Sequence, residues 1–321
     1  MSSTNNKIES DFLVSVIIPF YNAELYIAET IASVLKQSYH PIEIICIDNQ
    51  STDASVKIVK KIALENDSII LTQESKKGAS QARTKGLNSA KGAFIQFLDA
   101  DDIILPNKIE LQLKQLLAGN FDMVVSDRSI YDMTLNKQIN HLKFSKIIDA
   151  PLVTAISTVI SSGNPLYTKS IVEKVGGYSP NLNICQDWDF HLKLIKADAK
   201  ICYLPGDFFH SRQVTNSLSS DWLKVSLTMG ELIKNYKSYF IKNNVHADKL
   251  VYHKIIQTYL QNAIHTNNKT QIESNILELK FWSQGNYKIN LVLNKTNSHI
   301  LKILGLKNYI HLKRITTKVK L

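Results

Sequence analysis

The feature that most restricts the fold is an alternation that fills the first 126 positions. Short apolar runs at 13–18, 42–47, 68–72, 93–98 and 121–126 are separated by stretches whose apolar residues recur every three or four positions. Ile27, Ile31, Val34 and Leu35 make one such stretch, Val56, Val59 and Ile62 a second, 80–90 a third, and Ile109, Leu111, Leu113, Leu116 and Leu117 a fourth opened by Pro106. A strand covered on both faces reads as a short continuous hydrophobic run, and an amphipathic helix reads at a period of 3.6. Strand–helix units in succession return the chain to the same edge, so neighbouring strands run parallel and are joined by right-handed crossovers. The expected class is α/β, with a mostly parallel central sheet flanked by helices.

The rest of the chain is less regular. Between about 131 and 161 no period holds. Residues 166–175 predict a helix closed by Gly176 and Gly177, and 186–197 predict another with Phe190, Leu192, Leu194 and Ile195 on its apolar side. From Asp221 onward the chain reads as helical. The expected divisions are a polar start without order at 1–12, a body at 13–221 and a helical C-terminal extension at 222–321. Charge separates the last two: 1–221 carries 22 Lys and Arg against 24 Asp and Glu, whereas 222–321 carries 16 against 4, a difference of +12. Such a tail is drawn to anionic surfaces. Its end, 300–321, places apolar residues among six cations, which suits either a membrane interface or docking of the apolar side on the body. No apolar run reaches the roughly 18 residues that cross a bilayer, and the start has no signal-peptide core, so a cytoplasmic location is expected, peripheral at the membrane face through the tail.

Residues with chemical potential gather at the ends of the apolar runs. The run 93–98 stops at Asp99, Ala100, Asp101 and Asp102. Ligands of open α/β sheets bind beyond the carboxyl ends of the strands, and carboxylates this close suit a bound cation, although an acidic turn leading into a helix has the same composition. The turn after the first run, from Pro19 through Tyr21 to Glu24, lacks the glycines a dinucleotide pyrophosphate requires, which argues against a nicotinamide enzyme. Tyr21 there could stack on a flat base or simply pack. Asp48 could accept from a ring N–H or ribose hydroxyl, or cap the next helix. Arg83 follows a small-residue entry at Gly78, Ala79 and Ser80, where it could reach a diphosphate or hold the acidic cluster. Gln186, Asp187 and Trp188 open a helix, so Asp187 is either a cap or a base, with the Trp188 ring beside it as a surface for a sugar.

Taken in order, residues 16–24, 47–53, 78–83, 97–102 and 186–189 resemble the motifs of the family 2 glycosyltransferases, which have the GT-A fold. The resemblance covers roughly 13–220. It implies inverting transfer of a sugar from a nucleotide diphosphate donor, commonly a UDP-sugar, to a hydroxyl of a glycan or lipid-linked acceptor. By similarity Pro19, Tyr21, Glu24 and Asp48 would line the nucleoside pocket, Arg83, Asp99 and Ala100 the ribose and diphosphate side, and Asp101 would ligate Mn2+ or Mg2+. Asp187 falls at the position of the general base, with Gln186, Trp188, Arg212 and His210 towards the acceptor. Two departures stand out. Asn49 and Gln50 replace the usual Asp-Gly after the first carboxylate, and Val214 stands where the family often has His, for which His210 could substitute. These changes motivate an alternative, a nucleotide-sugar-binding protein without transferase activity. The acidic cleft and lack of a nucleic-acid motif argue against a nucleic-acid partner.

Overall fold

The computed structural model describes residues 12–214, 221–244, 248–266 and 268–283, together with 310 and 313. The chain divides into two compact units, Met1–Ala155 with Val159–Ser217, and Ile156–Thr158 with Leu218–Leu321. The first contains β1 (Val14–Phe20), α1 (Ile27–Leu35), β2 (Ile42–Asp48), α2 (Ser55–Ala63), β3 (Ile69–Gln73), α3 (Ala79–Ser89), β4 (Phe94–Phe97), β5 (Ile103–Ile104), α4 (Lys108–Gly119), β6 (Met123–Tyr131) and β7 (Gln138–Leu142). There follow α5 (Pro151–Ser157), β8 (Leu166–Thr168), α6 (Lys169–Lys174), α7 (Gln186–Lys196) and β9 (Ile201–Arg212).

The strands form one sheet in the order β3-β2-β1-β4-β8-β6-β9-β5, with β7 paired to β6. Its long ladders are parallel, β1 with β2 and β4, β2 with β3, and β6 with β9, while β8 is inserted antiparallel between β4 and β6. Alternate side chains of a strand leave on opposite faces. Val14, Val16, Ile18, Ile44 and Cys46 accordingly pack one side against Ile27, Ile31 and Val34 of α1, Val59 of α2, and Ile109 and Leu113 of α4. Ile17, Ile45, Ile47, Ile95 and Phe97 pack the other against Ala82 of α3, Val172 of α6, and Phe190 and Leu194 of α7. Each fully buried aliphatic side chain contributes about 1.5–3 kcal/mol relative to exposure. On this second side Gly86 brings α3 close to the sheet, since a Cβ there would stand 2.4 Å from Ile17 Cγ2.

Three elements differ from expectation. Residues 166–175 are not one helix: Leu166–Thr168 is a strand, and Thr168 closes it by accepting from the Ile171 N–H at 3.4 Å to start α6. Buried Leu166 and Tyr167 fit a central strand as well as a helix, and three residues carry no period. The fifth apolar run continues to Tyr131, where β6 pairs with the twelve-residue β9. Sequence did not indicate β9, because Pro205 and Gly206 interrupt it and its register against β6 shifts between Ser126 and Arg128.

The second unit contains, among its described residues, the helices α8 (Trp222–Asn235), α9 (Lys237–Lys242), α10 (Lys249–His265) and α11 (Lys269–Ser283). Asp221 caps α8 by accepting from Lys224 N–H at 3.1 Å, and Asp248 caps α10 by accepting from Leu250 N–H at 2.8 Å. Within it the Tyr259 hydroxyl donates to Gly230 O at 2.9 Å, tying α10 to α8. Apart from Ile310 and Lys313, the amphipathic segment expected at 300–321 lies outside the described residues, as does the start at 1–11. No helix among the described residues is long and apolar enough to cross a membrane.

Candidate functional site

Because β1, β2 and β4 are parallel, their carboxyl ends fall on one edge, and Phe20 stands opposite Asp48. Pro19 is buried within β1 opposite Ile47, and Tyr21 just beyond is 47% exposed with Lys77 Nζ 4.9 Å from its ring centre. The Asp48 carboxylate is buried, accepting from Ser51 N–H at 2.9 Å and from Gln73 Nε2 at 3.3 Å. Glu24 is exposed and accepts from Ala54 N–H at 2.8 Å, while Asp53 accepts from Glu24 N–H at 3.1 Å. These bonds lock the turn after β1 to the turn after β2. Asn49 fixes the next loop: its Nδ2 donates to Glu74 O at 3.2 Å and Lys76 O at 2.8 Å, and its Oδ1 accepts from Gly78 N–H at 2.7 Å. Only an amide can donate and accept in this way. Gly78 has φ of +134°, a conformation that suits glycine, and opens α3.

On α3, Arg83 is buried, and its guanidinium reaches two elements at once. One terminal nitrogen donates to Gln186 Oε1 at 2.6 Å and the other to Asp99 Oδ1 at 2.5 Å, with the Tyr178 ring 4.7 Å from its centre. Burial alone would weaken the Arg83 charge; Asp99 and Asp187 keep it protonated. Asp187, at the first turn of α7, accepts from the Tyr178 hydroxyl at 3.1 Å and from Ser162 N–H at 3.3 Å. The Ser162 hydroxyl stands 3.4 Å from both oxygens of Asp99. Burial raises the Asp187 pKa, Arg83 opposes the rise, and Asp99 adds to it. A carboxylate that still senses both neighbours is a stronger base than a solvated one.

The acidic turn after β4 forms the other half of the cluster. Asp101 is raised to about 6, first by burial and then by Asp99, against the pull of Arg212 and Arg83. Asp101 and Asp187 therefore share the Asp99–Arg83 neighbourhood. Asp102 is buried and pushed well above the carboxylate range by burial and by Asp101 and Asp99. Arg212, at the end of β9, holds this turn: its N–H donates to Asp102 Oδ1 at 2.9 Å and its guanidinium to Asp101 O at 2.5 Å and to Glu29. Ala100 is buried, and its carbonyl accepts from Thr30 at 2.8 Å.

Among the described residues no group of three or more His, Cys, Asp or Glu side chains converges as a metal cage. The donor set nevertheless suits a cation completed by substrate. The Asp101 carboxylate stands beside that of Asp99 and is only partly offset by Arg212 and Arg83, and Mg2+ or Mn2+ at phosphate-transfer sites takes one or two protein carboxylates plus phosphate oxygens.

Trp188 is turned away from the cluster, whereas His210 stands opposite Ile103, just past the acidic turn. Trp188 is 2% exposed, because adjacent helical positions are turned about 100° apart; with Asp187 facing the cluster, the indole is buried and not open to a sugar. His210 is on β9, where Nε2 pairs with Asp207 Oδ2 at 3.1 Å and the ring lies 4.6 Å from that of Tyr131. Ser162 and Tyr178, which hold Asp187, were not foreseen; both lie in loops without a period.

A family model described as Glycosyl transferase family 2 matches residues 15–176. Among curated relatives, the UDP-Glc:alpha-D-GlcNAc-diphosphoundecaprenol beta-1,3-glucosyltransferase WfgD of Escherichia coli is 41% identical over 121 residues, 37% of this chain and 47% of its own. The chain spans 40%, 55% and 47% of the length of three curated relatives it matches. Among solved structures, S. aureus TarS 1-349 in complex with UDP-GlcNAc superposes with a TM-score of 0.60 at 19% identity, covering 95% of this chain and 91% of that one. The mannosyltransferase PcManGT from Pyrobaculum calidifontis, in complex with GDP-Man and Mn2+, gives 0.54 at 17% identity, covering 96% and 86%. At these identities the structural matches establish the shared fold, GT-A in kind.

Proposed function

This chain belongs to glycosyl transferase family 2, and from that premise we propose that it is an inverting, metal-assisted glycosyltransferase. It moves a sugar from a nucleotide diphosphate donor of the UDP type to a hydroxyl of a glycan or lipid-linked acceptor in surface polysaccharide synthesis. The observation that carries the reading is the Asp187 carboxylate, oriented by Tyr178 and Ser162 and raised by burial beside the Arg83–Asp99 pair. A carboxylate raised above its ordinary pKa is a better proton acceptor than a solvated one.

In this reading Asp187 takes the proton of the acceptor hydroxyl as its oxygen attacks the anomeric carbon, opposite the departing diphosphate, and one displacement inverts that carbon. Tyr178 O–H and Ser162 N–H keep the carboxylate aimed. Pro19, Tyr21, Glu24 and Asp48 border the nucleoside, with Asp48 retaining free lone pairs beyond its two contacts. Arg83 gives one N–H of each terminal nitrogen to Gln186 and Asp99, so it holds Asp99 towards the ribose and diphosphate side and keeps further donors of its own there. Asp101 would hold Mn2+ or Mg2+, which when bound neutralises charge on the leaving diphosphate. Arg212 fixes the turn that presents Asp101, and Gln186 adjoins the acceptor side. The catalytic body is 13–221, and the basic region 222–321 brings it to the cytoplasmic face of an anionic membrane.

The relatives support the substrate classes: WfgD is named for UDP-glucose and a diphosphoundecaprenol acceptor, and PcManGT was crystallised with Mn2+. The test is release of UDP from UDP-glucose and UDP-N-acetylglucosamine with Mn2+ and acceptor, comparing the native chain with Asp187→Asn. Loss of two to four orders of magnitude is expected from removal of a general base, roughly 10²–10⁴-fold; undiminished turnover would remove Asp187 from the mechanism.

A further inference from the structure

Lys108, the first residue of α4, is 0% exposed, and its amine meets two amide oxygens: Gln96 Oε1, and Gln112 Oε1 at 2.7 Å. Both glutamines are themselves buried, and their orientations are fixed by what their nitrogens do. Gln96 Nε2 donates to Phe97 O at 2.5 Å and Gly163 O at 2.9 Å. Gln112 Nε2 donates to Val124 O at 3.2 Å and Asn164 O at 3.0 Å. Each carboxamide has used both of its N–H bonds on carbonyls, so each oxygen must accept. Both oxygens converge on one amine, and a neutral amine has two N–H bonds to give. Burial drives the Lys108 pKa well below its ordinary value, in keeping with that count.

The two carbonyls gripped at the far end of this network belong to the residues directly after Ser162. Asn164 is fixed in turn, accepting from Ser126 N–H at 3.0 Å and donating to Ser126 O at 2.7 Å. Ser162 is the residue whose N–H meets Asp187 and whose hydroxyl meets Asp99. From this connectivity we infer that Lys108 is a positioning residue: through Gln96 and Gln112 it sets the 162–164 loop, and through Ser162 it aims the Asp187 carboxylate. The inference rests on the role proposed for Asp187, but the geometry it predicts exists without substrate.

The charged and titratable groups around Asp187 are Arg83 from α3, Asp99 after β4, Tyr178, Tyr167 from β8, and His191 of α7, whose Nδ1 meets Asp187 O. None of these touches Lys108; a change at Lys108 reaches Asp187 through the loop and, by way of Gln96, through Phe97, whose ring lies 5.1 Å from that of Tyr178, and Gln112→Met isolates the loop route. The test uses the full chain without ligand. Lys108→Met nearly keeps the length of the side chain and removes its donors, and Gln112→Met cuts the arm to Asn164 and Val124 while leaving Lys108 on Gln96. The Ser162 amide is followed by hydrogen exchange, and Asp187 by 13C titration of its carboxyl carbon, assigned with Asp187→Asn. The expected result is about tenfold faster exchange at Ser162 and an upward displacement of the Asp187 midpoint, larger for Lys108→Met than for Gln112→Met. Folded variants with unchanged exchange and an unchanged midpoint would reduce Lys108 to a core filler. Should Lys108→Met fail to fold, Gln112→Met decides by the same two readouts. Absence of sugar transfer by the native chain would remove the transferase reading and leave these measurements intact.

Discussion

At the scale of single residues, the cluster depends on neutral groups as much as on charged ones. His191 Nδ1 lies 2.7 Å from Asp187 O and Nε2 lies 2.8 Å from the Tyr167 hydroxyl. A carbonyl can only accept, so Nδ1 carries the proton and Nε2 accepts from Tyr167. Burial lowers the pKa of this imidazole to about 4. The unfolded chain takes up the proton near 6.5 and the folded chain resists it, so the stability is complete above 6.5 and falls as the pH drops towards 4. Urea unfolding at pH 7 and pH 5 should show the native chain losing about 2 kcal/mol more than His191→Gln; equal losses would place the protonation elsewhere. How far such residues could be foreseen follows from where they sit. Asp48, Asp99 and Asp101 terminate apolar runs, and the run itself marks the strand end. Ser162 and Tyr178 come from loops, where no period fixes direction. Trp188 was misjudged because neighbours in sequence are turned about 100° apart on a helix, so one can face the cluster while the next is buried.

At the scale of elements, the strand–helix units up to β4 were legible because each is long enough to show its period and all lie in chain order. Short or interrupted elements were not. β8 has three residues and β9 is broken by Pro205 and Gly206, and both owe their strand form to partners distant in sequence. The loops between units carry their own specification. The arrangement proposed to bind the donor rests on the turns after β1 and β2 being bonded to each other and on Asn49 spanning the loop to Gly78. Asn49→Asp, a return to the residue common in the family, should therefore destabilise: two donors vanish and a carboxylate faces the carbonyls of Glu74 and Lys76. The expected cost is about 1–3 kcal/mol, read from the urea midpoint. A neutral or stabilising change would mean that the loop can rearrange around the acid.

At the scale of the whole molecule, charge is unevenly divided, with a near-neutral body and a +12 C-terminal region. Attraction of Lys and Arg to an anionic leaflet is about 1 kcal/mol each and decays within a Debye length. The full chain should sediment with phosphatidylglycerol vesicles in 0.1 M salt, not with phosphatidylcholine vesicles, and should be released in 0.5 M salt; salt-insensitive binding would point to apolar insertion instead. The central claim is that one edge of the sheet brings together a donor-holding acidic turn and a separate base. It is tested most directly by measuring, for Asp187→Asn and the native chain with Mn2+, both affinity for UDP-sugar by calorimetry and turnover by UDP release. The account predicts donor affinity within about threefold and turnover lower by roughly 10²-fold or more. Native turnover in Asp187→Asn, or affinity and turnover falling together, would contradict it.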